Sequence, residues 1–150
     1  MKSWAVASVL MLCISGAQAK GAFDDGQDAI EYRQAAFGLI KENFADMAAM
    51  LKKKKPMDKQ VFIERAQHLA LLAPIPFNGF HVRGADDGST DALPEIWTHR
   101  SEFDAIANKF QQATTALAVA SKEDDLKALG KAFGAVGKNC KGCHDQFKAE

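Results

Sequence analysis

The chain has 150 residues, about the size of one ordinary domain, and its 19 basic and 19 acidic residues cancel. That balance offers no basic face of the kind a nucleic-acid partner requires. No internal repeat or low-complexity tract divides the chain.

Residues 1–19 differ in kind from the rest. Met1-Lys2 is a short positive start, Trp4 to Ile14 is almost wholly apolar, and Ala17-Gln18-Ala19 has the small-x-small form of a cleavage site. This is read as an export signal peptide cut after Ala19, leaving Lys20 to Glu150 as the mature domain. The apolar run is too short for a permanent membrane anchor, and Cys13 leaves with it. Leu12 is not the small residue that a lipid-modified Cys13 would need before it. Export predicts a periplasmic, oxidising location, where the two remaining cysteines could pair or be consumed by a thioether-linked cofactor.

Beyond the leader, apolar residues recur at helical spacing and no strand alternation appears. The first helix is predicted from about Asp28 to Lys53, with an inward stripe of Ile30, Arg33, Phe37, Ile40, Phe44, Met47 and Leu51. Lys52 to Lys55 and Pro56 end it, as a solvated helix end or a docking patch for an acidic partner. Asp58 caps a second helix carrying Phe62, Ala66, Leu69 and Ala73, which Pro74 and Pro76 stop. A long connection follows through Phe77-Asn78-Gly79 and Gly84 to Gly88.

Pro94 opens the third helix, striped by Ile96, His99, Phe103, Ile106, Phe110, Ala113, Leu117 and Ala120. Ser121 with Asp124 reads as a capping box for the fourth. That helix places Leu126, Leu129, Phe133, Val136, Cys140, Cys143 and Phe147 on one side. Four amphipathic helices with two short joints and one long loop make an all-α, antiparallel up-down-up-down four-helix bundle.

Both cysteines of Asn139-Cys140-Lys141-Gly142-Cys143-His144 therefore face the interior. Residues three apart on a helix lie about 5–6 Å apart at Cβ, whereas a disulfide wants about 3.8 Å. A zinc site needs a second Cys/His pair, but His68, His81 and His99 stand singly. A thioredoxin-like couple expects a strand before the motif's helix. Two thioether bonds to neighbouring vinyl groups fit the spacing, with His144 placed to reach an iron, and Cys-x-x-Cys-His is the attachment signature of haem c.

Here the chain resembles the cytochrome c′ family, the class II c-type cytochromes. The resemblance covers the whole mature chain. It is carried by Tyr32-Arg33-Gln34-Ala35-Ala36-Phe37, Leu93-Pro94-Glu95-Ile96-Trp97, and the run from Lys131 through Cys140, Cys143 and His144 near the C-terminus. It implies one covalent haem c on Cys140 and Cys143, with His144 as axial ligand. In the implied bundle the haem meets Arg33, Phe37, Leu69, Leu72, Trp97, His99 and Phe103. Met47, Met50 and Met57 belong to the opposite end.

Arg33 is the charged residue on the first stripe, and a buried charge asks for an anionic partner; a haem propionate is the available one. Phe37 stands where methionine-ligated relatives carry their second ligand, which leaves His144 as the sole axial ligand beneath an apolar distal wall. Such an iron takes nitric oxide or carbon monoxide, for buffering or carriage, alongside redox exchange with a partner protein. The alternative is a plain electron-transfer cytochrome with a six-coordinate, low-spin haem. His99 is placed to reach a propionate or, less readily, the iron, against the commoner case of a satisfied or half-exposed histidine. Lys148 stands where many relatives carry an arginine beside the axial histidine, without that residue's planar fork. Relatives often form homodimers through the first two helices. No catalytic constellation is visible, so the chain is not read as an enzyme.

Overall fold

A computed structural model describes Phe23 and residues 25–150. The predicted leader and its cleavage site lie outside these residues. The described chain forms five α-helices and one 3-10 helix, without a strand.

Helix α1 (Gly26–Leu51) starts at Asp25, whose carboxylate accepts from the Asp28 amide at 3.0 Å. Its predicted stripe points inward, and a second row of Ala29, Ala36, Asn43 and Met50 is buried beside it. The helix ends when Lys53 turns to φ 56°, a left-handed conformation that costs a lysine about 1 kcal/mol. Helix α2 (Lys59–Leu72) is capped by Asp58 as expected and buries Phe62, Ala66 and Leu69.

Helix α2 ends before Pro74 and Pro76 as expected, but the chain does not become a loop there. The chain tightens into a 3-10 helix, Ile75–Phe80, because Pro74 and Pro76 both sit where no intrahelical N–H is required. This segment packs on α1. A Cβ on Gly79 would come within 2.6 Å of the Ala29 carbonyl oxygen, so only glycine permits the approach.

The predicted third helix is broken. Helix α3 (Glu95–Thr98) is one turn, and α4 (Arg100–Ala120) restarts after His99 at φ −117°, ψ 45°. The break turns His99 outward, so it is exposed and absent from the stripe. Helix α5 (Leu126–Phe147) is capped by Asp125, which accepts from the amides of Lys127 and Ala128 at 2.9 Å. Ser121 instead ends α4, its hydroxyl donating to the Ala118 carbonyl at 3.0 Å, and the capping-box expectation is corrected accordingly. Leu126 is 74% exposed, because the helix begins before the chain reaches the core.

Helices α1, α2, α4 and α5 form the bundle, packing in sequence α1 on α2, α2 on α4 and α4 on α5. The central core joins Met47, Met50, Phe62, Leu69, Leu117 and Val136. Burying each such side chain contributes about 1.5–3 kcal/mol. A second cluster of Phe80, Ile96, Phe103 and Phe147 fills the end where α5 finishes. There the chain is tied back: the Leu93 amide donates to the Phe147 carbonyl (3.0 Å) and the Ala149 amide to the Asp91 carbonyl (2.8 Å).

Candidate cofactor site

The fold opens a cavity of about 560 Å³ between α1 and α5, within the range of ligand pockets. Phe44 and Phe133, stacked at 4.2 Å, join the two helices on the core side. Gly137 leaves room there, since an added Cβ would touch the Phe44 ring at 3.4 Å. Walls come from Phe37 and Ile40 of α1, Leu69 of α2, Phe77 and Phe80 of the 3-10 helix, Ile96, Phe103 and Phe110, and Cys140, Cys143 and Phe147. The polar rim consists of Arg33, Gln34, Lys41, Thr90, Asp91, Asn139, His144 and Lys148.

The α5 wall carries the chemistry. Cys140 and Cys143 are free thiols, half-buried and turned to the cavity. Burial raises the Cys140 pKa, and burial with the neighbouring Cys140 pushes Cys143 up to about 11, so both remain protonated thiols. His144 is exposed along its outer edge but lies against the cavity. Burial and then Lys148 hold its pKa below the ordinary value against the opposing pull of Asp145, which favours the neutral imidazole a metal requires.

Arg33 lines the cavity, but its partners are not carboxylates. Its guanidinium is buried, donating from Nη1 to the carbonyls of Ala85 (2.8 Å) and Gly79 (3.4 Å) and from Nη2 to Thr90 Oγ1 (2.8 Å). It lies 4.3 Å from the Phe80 ring centroid, an arrangement that also stabilises a cation. Burial lowers its pKa, and Asp86 partly offsets this.

Three residues expected at the cofactor do not line the cavity: Leu72, Trp97 and His99. Trp97 stands behind Phe80, donating its indole N–H to the Phe80 carbonyl at 3.1 Å. His99 faces solvent, with Nδ1 3.1 Å from Thr98 Oγ1. Lys148 does line the rim, where its ammonium pairs with Asp91 at 3.0 Å. The lining residues missed by the sequence reading are chiefly Phe77, Phe80, Thr90 and Asp91. Phe77 and Phe80 flank a turn three residues apart, and that aromatic spacing was their available signal.

The residues present fit a porphyrin. The cavity has an apolar interior and a polar rim, its two thiols are inward-facing and protonated, and its histidine is biased to the neutral form.

Comparison with known proteins agrees. The sequence profile described as "Cytochrome C'" matches residues 28–148. Cytochrome c′ of Rubrivivax gelatinosus is 41% identical over 127 residues, 84% of this chain and 98% of the relative. That of Halomonas halodenitrificans is 38% identical, covering 83% of this chain and 98% of the relative. The solved cytochrome c′ of Shewanella frigidimarina superposes with TM-score 0.83 at 52% identity, covering 85% of this chain and 99% of that one. The chain belongs to the cytochrome c′ family, a familiar example of the up-down-up-down bundle, and its cofactor is covalent haem c.

Proposed function

We propose that this protein is a periplasmic cytochrome, exported by a leader cleaved after Ala19, that binds nitric oxide or carbon monoxide at a five-coordinate haem and buffers or carries nitric oxide. Cys140 and Cys143 would hold the porphyrin by thioether bonds, and His144 would supply a nitrogen to its iron. Arg33, on the cavity rim, would serve a propionate. Trp97 fixes Phe80 and so acts on the pocket from behind, and Lys148 closes the rim. The bound haem supplies an iron that accepts a diatomic gas and changes charge by one electron.

One observation carries the reading: among the described residues, no methionine and no second histidine lines the cavity, and Phe37 stands on its α1 wall. Phe37 meets Phe77 edge-on at 5.9 Å, so the wall is apolar and offers a bound gas no hydrogen bond. Solved structures of Alcaligenes xylosoxidans cytochrome c′ variants, 34% identical to this chain, contain nitric oxide in three cases and carbon monoxide in another. Among the described residues no helix is long and apolar enough to cross a membrane. A homodimer through α1 and α2, exchange with a redox partner protein, and a carrier rather than an enzyme complete the proposal.

The optical spectrum of the purified ferric protein tests it. High-spin bands that change on adding nitric oxide are expected. Low-spin bands unmoved by the gas would instead indicate a six-coordinate electron-transfer cytochrome. A pyridine-haemochrome spectrum after denaturation checks covalent attachment independently.

A further inference from the structure

The gas-binding reading leaves unused the outward face of α5. Lys127, Lys131, Lys138 and Lys141 follow at steps of four, seven and three, which at 100° per residue place them in one row. The row lies on the side away from Leu129, Val136 and Cys143. Lys127, Lys131 and Lys138 are exposed and form no ion pair among the described residues. Lys141 pairs with Asp145, the one acidic residue of the helix.

A helix can be solvated by charges of either sign, and the exposed sides of α1 and α4 mix them, as in Glu31, Lys41 and Glu42 or Glu102 and Lys109. The α5 row is basic along its length, although the whole chain is neutral. Gly134, between Lys131 and Lys138, faces open space, so no side chain there holds a partner away from the backbone. The row also backs directly onto the wall bearing Cys140 and Cys143, a separation of about 10 Å, the thickness of one helix. The Lys52–Lys55 run is less suited. It lies at the other end of α1 from Arg33 and Phe37, with Lys55 paired to Asp46.

We infer that this lysine row is the docking face for an acidic electron-transfer protein, which exchanges one electron with the haem across α5. The inference rests on the covalent haem proposed above. A protein surface is favoured over an anionic membrane because the row contains no large apolar side chain to insert. Complementary charge of this kind raises encounter rates by about 10- to 1,000-fold at low salt and is screened as salt rises.

The test uses flavodoxin hydroquinone as an acidic donor. Its anionic hydroquinone becomes the neutral semiquinone as ferric haem becomes ferrous. Stopped-flow reduction of the wild type should slow steeply with salt. The pair K131E and K138E should lower the low-salt rate about tenfold and flatten the salt dependence. The equally charged control pair K52E and K53E should change it less than twofold. Carbodiimide should couple flavodoxin carboxylates to peptides containing Lys131 or Lys138. A salt-independent wild-type rate, equal slowing by the control pair, or coupling elsewhere would overturn the inference. So would sedimentation with phosphatidylglycerol vesicles but no flavodoxin coupling. A colourless protein would defeat the haem reading, whereas the coupling map would still report on the surface.

Discussion

Arg33 illustrates how a buried charge is tolerated without a carboxylate. Two carbonyls, a hydroxyl and an aromatic face replace its water. Its burial was legible because it falls on an apolar stripe. Its partners were not, since Gly79, Ala85 and Thr90 come from a region without periodicity. Arg33→Met should preserve the stem but leave those three acceptors unserved. A loss of about 3 kcal/mol is expected in guanidinium unfolding, with faster amide exchange across residues 85–92. Cys140 and Cys143 line the cavity because helical spacing puts both on the inward side of α5. His99 leaves its predicted stripe because that spacing was extended across a break it cannot reveal.

At the scale of elements, long regular helices could be read and the irregular joints could not. Asp58 announced α2, whereas Ser121 and Asp125 both had capping chemistry and only packing chose between them. The 3-10 helix was hidden by its prolines, although it delivers Phe77 and Phe80 to the site. Helices α1 and α2 are further joined by Asp46, which binds Lys55 in the intervening turn and Arg65 on α2 at 2.9 Å. The Lys55 hydrogen bond, then that of Arg65, lowers the Asp46 pKa. Its contribution is therefore present above the ordinary carboxylate range and lost as pH falls through the lowered value. Asp46→Asn should cost about 0.5–1 kcal/mol at pH 7. Urea titrations repeated toward pH 3 should show that difference shrinking.

For the molecule as a whole, the cavity of about 560 Å³ bears on stability, because its apolar lining gains packing contacts only when a ligand fills it. Replacing Cys140 and Cys143 together by alanine removes the covalent tether. The resulting colourless protein should melt broadly at lower temperature and bind a hydrophobic dye such as ANS, as calorimetry and fluorescence would record. Composition and stripes indicated the bundle. The separation of α1 from α5 is a tertiary outcome of large aromatics at Phe37, Phe44, Phe77 and Phe80, and no local pattern announces it.

The knot of backbone bonds between residues 91–93 and 147–149 bears on maturation. The helix bearing both sulfurs, tied down there, turns them toward the cavity. That fastening thus sets, before any ligand arrives, the side of the helix from which a porphyrin would meet both sulfurs.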